Sequence, residues 1–357
     1  MHRAVVLFLM VAVGGAVCWL AARTDGQSKF AEVEQALENR KFKEAGDLLQ
    51  NYLEVHPDDS SALILAAQTA RRNDVLLKAS EYLQTYEQMN GSRDAALLER
   101  RLGSIQNGDF REAAPLLTSC ESRPDVAETP LILEAFLKGV VKNIEGAPSN
   151  EPARDMSKAI WAADLWLAKR PSRADQSIGF LWRGKINQYA DKHADAVADL
   201  RKAVAVDEEN IPARLGLAKA IAQEDPVAAI GHIRFVLEKN PDDMQAAFML
   251  ATGLGGLGQF DESRRVLDAL LKRDPNNYQI VLERGKIDLE SLQLDQAEPY
   301  LRRAEKLAPN DLSVLNSFYR FFCLKGNAEE ALKYRERFTQ LNAEQKKALE
   351  LKKKDGG

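Results

Sequence analysis

The chain has 357 residues, of which 45% are hydrophobic and 29% are charged. A chain of this length and composition buries a sizeable core, which excludes an intrinsically disordered protein. The formal net charge of -4 provides no broad basic surface, so we expect no nucleic-acid partner. The three cysteines form no C-x-x-C pair, and the sequence therefore indicates neither a zinc site nor a disulfide framework.

One long apolar run lies near the start of the chain. Residues 4–22 read AVVLFLMVAVGGAVCWLAA and carry no charge, and residues 1–3 precede them as a short flank. A helix of this length covers roughly 28 Å at about 1.5 Å per residue, enough to cross the hydrocarbon core of a bilayer. The run predicts a single-pass membrane anchor, with the body of the protein on the extracytoplasmic, periplasmic side. A cleaved signal peptide is the alternative, and it would release a secreted soluble body.

An internal repeat dominates the rest of the chain. The segments GQFDESRRVLDALLKRDPNN, LQLDQAEPYLRRAEKLAPND and RKFKEAGDLLQNYLEVHPDD each place an amphipathic helix before a proline turn. A small residue recurs early in that helix in nine copies: Ala45, Ala79, Ala113, Ala159, Ala196, Ala229, Ser263, Ala297 and Ala331. The successive spacings are 34, 34, 46, 37, 33, 34, 34 and 34 residues. Such a unit fits two helices, because the small side chain lets them approach closely and the proline ends the second one.

This pattern resembles the tetratricopeptide repeat (TPR) family, and the resemblance covers residues 28–345. It implies an all-α fold, a tandem TPR helix-turn-helix solenoid forming a right-handed superhelix of about nine repeats, to which residues 4–22 add one N-terminal transmembrane helix. The expected repeats span residues 28–59, 60–93, 94–127, 130–173, 177–210, 211–243, 244–277, 278–311 and 312–345, and residues 346–357 form a charged capping tail. Val33, Arg101 and Tyr319 depart from the family's small position on the first helix. The 46-residue spacing places an insertion at residues 142–157, whose Gly, Pro, Ser and Asn content predicts a loop.

A literal G-x-G-x-x-G, the fingerprint of a dinucleotide-binding loop, occurs at Gly253, Gly255 and Gly258. The helical periodicity on both sides of it offers no parallel sheet, and the repeat places Gly258 at the turn between two helices. Gly253, Gly255 and Gly256 then fall inside a first helix. They form either a closely packed turn of that helix or a stretch that lets a partner's backbone approach. A nucleotide-binding enzyme using Gly253–Gly258 is the remaining alternative.

The sequence contains no recognisable catalytic motif. It has no H-E-x-x-H, G-x-S-x-G or G-x-x-x-x-G-K-[ST] pattern, and its four histidines are scattered without ligand spacing. We therefore expect no enzyme activity, no cofactor, no metal site and no small-molecule substrate.

The TPR resemblance instead implies a protein or peptide partner, held on a concave face by the first helices of the repeats. By position, the candidate groove residues are Leu181, Trp182, Lys185, Gln188, Tyr189, Phe248, Met249, Thr252, Gly255, Gly256, Glu283, Lys286, Asn316 and Arg320. Aromatic anchors beside basic side chains suit a peptide with apolar side chains and some negative charge. Core packing of Trp182 and Phe248 is the competing interpretation. We expect a membrane-tethered scaffold or adaptor, with a periplasmic chaperone-like factor that binds unfolded clients as the alternative.

Overall fold

The computed structural model describes residues 24–90, 94–146, 156–170 and 172–355 of the chain. Every regular element in these ranges is an α-helix, which confirms the all-α prediction there. The helices are α1 (Thr24–Glu38), α2 (Phe42–Val55), α3 (Ser60–Arg72), α4 (Leu76–Asn90), α5 (Asp94–Gln106), α6 (Ala113–Ser122), α7 (Thr129–Gly146), α8 (Ser157–Lys169), α9 (Arg173–Tyr189), α10 (His193–Val206), α11 (Ile211–Ile221), α12 (Pro226–Lys239), α13 (Met244–Gly256), α14 (Phe260–Arg273), α15 (Tyr278–Glu290), α16 (Leu294–Leu307), α17 (Leu312–Leu324) and α18 (Ala328–Asp355).

The predicted membrane anchor at residues 4–22 lies outside the described residues and stays a prediction. Across the ranges that are described, no helix combines the length and the apolar character needed to cross a membrane.

The helices divide between two compact units, Met1–Gly216 and Leu217–Gly357, and the division falls inside α11. We call them the N-terminal unit and the C-terminal unit. In the N-terminal unit α3 packs on α4 and α9 packs on α10; in the C-terminal unit α13, α15 and α17 pack on α14, α16 and α18, respectively. The two-helix repeat predicted from the sequence is therefore present in both units.

The small residues that define the repeat lie at the buried contacts of these helices. All nine are buried, and none exposes more than 6% of its surface. A Cβ atom added to Gly184 or Gly285, which occupy the small position on a first helix, would come within 2.9 Å of Leu200 or Leu301. The pairs are therefore packed too closely for larger side chains at these positions. Arg335 stands where most copies have a buried apolar residue, and it is exposed.

The turns inside the helix pairs share one backbone feature. Most of them contain a residue in the left-handed region: Arg40, Asp74, Gly108, Asp191, Gly258, Leu292 and Gly326. Gly258 adopts this conformation with φ 74°, which confirms its predicted place at a turn and accounts for one glycine of the G-x-G-x-x-G pattern. Arg40 (φ 57°) and Leu292 (φ 59°) adopt it at a steric cost that glycine does not have.

The turns between successive pairs end in helix caps. Asp59, Asp243, Asn277 and Asp311 each follow a repeat proline by two residues. Their side chains accept hydrogen bonds from backbone N–H groups of the next helix's first turn. The repeated proline-acid and proline-asparagine segments therefore both end one helix and start the next.

The third pair is irregular, and Arg101 departs from the small position there; Val33 and Tyr319 also depart from it, yet α1 packs on α2 and α17 packs on α18. Arg101 lies 44% exposed and forms an ion pair with Glu112 at 2.7 Å, where a small side chain would have let α5 and α6 meet. Helix α5 packs chiefly against α7 instead. Gly139 makes this contact possible, because a Cβ atom there would overlap the backbone oxygen of Ile105.

The start of the predicted insertion loop is helical. Helix α7 continues through residues 142–146, which the sequence analysis had assigned to the loop. Val140 and Val141 are buried and Ile144 packs against the same core, so the apolar face of α7 extends one more turn. Helix α8 then starts at Ser157, and residues 147–155 lie outside the described part of the chain.

Candidate partner-binding surface

The first helices of three successive pairs, α13, α15 and α17, lie side by side in the C-terminal unit. Each presents an equivalent stripe, because residues seven and eleven positions apart share one helix face. The stripes are Gln245, Thr252 and Gly256 on α13, Gln279, Lys286 and Glu290 on α15, and Ser313, Arg320 and Leu324 on α17; all are exposed or half-buried. With the adjoining Phe248, Met249, Glu283 and Asn316, we call these residues the first-helix surface.

Two cations of the first-helix surface are held only loosely by carboxylates. The Nζ atom of Lys286 lies 3.3 Å from an oxygen of Glu283, and an Nη atom of Arg320 lies 4.0 Å from an oxygen of Glu290. The side chains of the two cations are 31% and 48% exposed. Exposed ion pairs of this kind contribute about 0–1 kcal/mol. Both cations can therefore exchange their present partner for the carboxylate of another molecule at little cost.

Helix α13 gives the first-helix surface an apolar end, because it contains no charged residue. Phe248 is half-buried and packs against the core cluster that includes Ala251 and Leu267. Met249 is also half-buried, and the Thr252 hydroxyl donates to the backbone carbonyls of Phe248 and Met249 at 3.2 and 3.0 Å. The surface thus changes from apolar on α13 to charged on α15 and α17. Phe248 is therefore partly packed in the core, as the competing interpretation predicted, and partly accessible.

The three glycines of α13 have different surroundings, and none belongs to a nucleotide loop. Helix α13 runs through Gly256, and no strand precedes it among the described residues, so the dinucleotide-binding alternative is wrong. Gly255 is buried, and a Cβ atom there would overlap Cδ1 of Ile287 on α15. Only Gly256 is exposed, with no atom within 4 Å of an added Cβ. Gly255 therefore marks the contact between α13 and α15, a correction to its expected place on an open groove.

Single alanine substitutions at Gly255 and Gly256 are expected to have opposite effects. Gly256→Ala should raise the free energy of unfolding by up to about 1 kcal/mol, because alanine favours the helix and meets nothing. Gly255→Ala should lower it, because Ile287, which is 1% exposed, must leave its rotamer. Thermal unfolding followed by circular dichroism measures both. A destabilising Gly256→Ala would contradict the open environment assigned to this residue.

Two of the five candidates on α9 are buried, and core packing, the competing interpretation of Trp182, is confirmed. Leu181 and Trp182 are only 2% and 5% exposed, and the Trp182 ring packs edge-on against Trp166 with centroids 5.3 Å apart. Lys185 forms an ion pair with Glu145 at 2.5 Å. Gln188 and Tyr189 are half-buried. Trp182 thus belongs to the core of the N-terminal unit, which corrects its expected role as an anchor for a partner.

The interior of the N-terminal unit contains an ion-pair cluster that the sequence analysis missed. Arg40 reaches Glu134 through Nη2 at 2.6 Å and Asp175 through Nη1 at 2.8 Å. Arg72 also binds Glu134, at 2.8 Å, and Arg170 also binds Asp175, at 2.7 Å. Every side chain in this set is 12% exposed or less. We call these five residues the Arg40 cluster.

The Arg40 cluster keeps the Glu134 carboxylate ionised. Burial would raise the pKa of Glu134, but the charges of Arg40, Arg72 and Arg71 outweigh burial and hold this pKa well below its usual range. Burial lowers the pKa of Arg72, and the Glu134 carboxylate opposes that shift. Glu134 is therefore a fixed charge rather than an acid-base group poised near neutral pH. Among the described residues, no group of His, Cys, Asp and Glu is placed to hold a metal ion.

The comparison with known families identifies one part of the chain. Residues 220–285 match the family model described as tetratricopeptide repeat, so this segment, which contains α13 and α14, carries that repeat. Among curated proteins, none matches the sequence.

Solved structures provide weak similarities over about half of the chain. One is described as "YrrB: a TPR protein with an unusual peptide-binding site"; it is 18% identical, covers 56% of this chain and 99% of its own, and has a TM-score of 0.39. Another is MamA 41-end from Desulfovibrio magneticus RS-1, 16% identical, covering 48% of this chain and 97% of its own, with a TM-score of 0.43. The match over residues 220–285 therefore carries the family assignment.

Proposed function

We propose that this protein is a non-catalytic scaffold that binds a segment of a partner protein on the first-helix surface. The observation that carries the proposal is the repetition of an equivalent accessible stripe on α13, α15 and α17. The tetratricopeptide match over residues 220–285 supports it, because this segment includes α13 and the start of α15, with Gln279 and Glu283 of the first-helix surface.

The side chains of the first-helix surface indicate which kind of partner segment would bind there. Met249 and the exposed part of Phe248 provide contacts for an apolar side chain. Lys286 and Arg320 occupy equivalent positions one repeat apart and are weakly paired, so they fit acidic side chains further along the same segment. The proposed ligand is therefore an extended or helical segment with an apolar anchor followed by acidic residues. We further propose that residues 4–22 tether the protein to a membrane and that the rest of the chain lies in the periplasm.

Charge reversal at Lys286 or Arg320 is expected to weaken partner binding by about 10-fold or more, because each reversal places a carboxylate against the acidic part of the partner. The control is Arg265→Glu, which makes the same change at an exposed position on α14, outside the first-helix surface. Partners are identified by crosslinking and mass spectrometry from native membranes, and affinities are then measured by titration with the purified partner. Equal affinities for all three variants would refute the proposed surface. A diffuse set of clients would instead favour a chaperone.

A further inference from the structure

The Arg40 side chain occupies the interior of the N-terminal unit although its backbone belongs to a turn. Arg40 lies between α1 and α2 with φ 57°, and its guanidinium reaches α7 and α9, which are 94 and 135 residues further along the chain. The side chain is 12% exposed. A residue of the first described helix pair thus fills a space that is formed by the fourth and fifth pairs.

The groups around the Arg40 side chain are those that suit a guanidinium group. Glu134 and Asp175 each accept a hydrogen bond from a different terminal nitrogen of Arg40, at 2.6 and 2.8 Å. The rings of Trp166 and Trp182 lie 5.7 and 5.6 Å from the guanidinium carbon. Two carboxylates at separate nitrogens match the planar fork of arginine, and indole faces add cation–π attraction. A lysine ammonium carries its donors on a single nitrogen and lacks the planar fork that places separate nitrogens opposite these two carboxylates.

Each other member of the site has a contact that does not involve Arg40. Glu134 retains its ion pair with Arg72, and Asp175 retains its ion pair with Arg170. The two tryptophans pack against each other in the core. Because Arg40 stands on a turn, its side chain can leave without breaking hydrogen bonds inside a helix. Withdrawal of Arg40 would therefore leave a preformed acceptor rather than a collapsed cavity.

We propose that Glu134, Asp175, Trp166 and Trp182 form an arginine-binding pocket, which the chain's own Arg40 fills and which takes the arginine side chain of a partner protein when Arg40 withdraws. The pocket lies in the N-terminal unit, and the proposal does not depend on partner binding at the first-helix surface.

The test empties the pocket without disturbing the turn. Arg40→Gly removes the guanidinium and suits a φ of 57°, as Gly258 and Gly326 do at equivalent turns. Asp191→Gly is the matched control, because it makes the same backbone change at φ 58° and leaves the pocket filled. Each full-length variant is heated with millimolar methylguanidinium or methylammonium, and the Tm of the N-terminal unit is measured.

Methylguanidinium is expected to raise the Tm of Arg40→Gly in a saturable way, whereas methylammonium is not. Neither compound should raise the Tm of the wild type or of Asp191→Gly. If Arg40→Gly is unfolded, the same comparison becomes a refolding assay, with native circular dichroism restored by methylguanidinium alone. Absence of rescue, or equal rescue by both compounds, would overturn the proposal.

A peptide experiment tests the partner part of the proposal. A short peptide with one arginine should bind Arg40→Gly, and its lysine counterpart should bind at least ~10-fold more weakly. Wild type should bind the arginine peptide at least ~100-fold more weakly, because Arg40 must first vacate the pocket. Glu134→Gln in the Arg40→Gly background should abolish binding under conditions in which circular dichroism shows the double variant to be folded. Equal binding by wild type and Arg40→Gly would show that the peptide binds elsewhere and would refute the pocket.

Discussion

Replacing Glu134 with glutamine is expected to lower the free energy of unfolding of the N-terminal unit by about 3–5 kcal/mol. Glu134 is 1% exposed and pairs with both Arg40 and Arg72, so its neutralisation leaves two buried guanidinium groups without their main counter-charge. All four tryptophans lie within Met1–Gly216, so urea unfolding followed by tryptophan fluorescence reports this unit separately.

The stabilisation by Glu134 should depend on pH in one direction. Its pKa is held below the usual range in the folded unit, whereas the unfolded chain has the ordinary value of about 4.3. Its contribution is therefore complete above the unfolded pKa and is lost as the pH falls through the folded pKa. The difference between wild type and Glu134→Gln should be constant near neutral pH and shrink in acid.

Glu87→Gln provides the control for Glu134→Gln. Glu87 pairs with Arg100 at 2.6 Å, but both side chains are much more exposed, at 25% and 40%. Its substitution should change the free energy of unfolding by less than about 1 kcal/mol. Equal effects of the two substitutions would contradict the assignment of Glu134 as the centre of a buried charge cluster.

Gly139→Ala is expected to destabilise the N-terminal unit by about 3 kcal/mol, at the upper end of overpacking effects. An added Cβ atom would overlap the backbone oxygen of Ile105, so helices α5 and α7 must separate. A flexible side chain could rotate away from such a contact, but a backbone carbonyl inside a helix cannot. Urea unfolding followed by tryptophan fluorescence again measures the change.

Gly103→Ala is the matched control for Gly139→Ala, because it lies on the partner helix α5 with no atom within 4 Å of an added Cβ. This substitution should be neutral or stabilise by up to about 1 kcal/mol. If the Gly139→Ala variant were as stable as the Gly103→Ala variant, this result would contradict the close contact between α5 and α7 at Gly139.

The repeating features of the fold could be predicted from the sequence because they are local. The small residue, the proline and the acidic or amide cap recur at fixed positions, and each acts within one helix pair or at the start of the next. The departures at Val33, Arg101 and Tyr319 made the first, third and last pairs less certain, but only the third is irregular, since α1 packs on α2 and α17 packs on α18. The contact between α5 and α7 at Gly139 was not predicted, because the sequence does not show which helix packs against α5 when α6 does not.

The Arg40 cluster was missed for a different reason. Arg40 contacts residues 94 and 135 positions away, and repeat periodicity contains no information on contacts between distant pairs. Trp182 shows the related ambiguity: a first-helix aromatic residue fits either a groove or a core, and only its packing on Trp166 decides. The first-helix surface was partly predicted, since Thr252, Lys286 and Arg320 share one position of the repeat.

The most direct test of the central claim is site-specific photocrosslinking of the full-length protein in its native cells. A photoreactive phenylalanine analogue is placed at Arg320 on the first-helix surface and, as a control, at Arg265 on α14. Our account predicts one reproducible protein adduct from position 320, lost when Lys286→Glu is added, and none from position 265. An equally strong adduct from position 265, or a position 320 adduct that survives Lys286→Glu unchanged, would contradict partner binding at this surface.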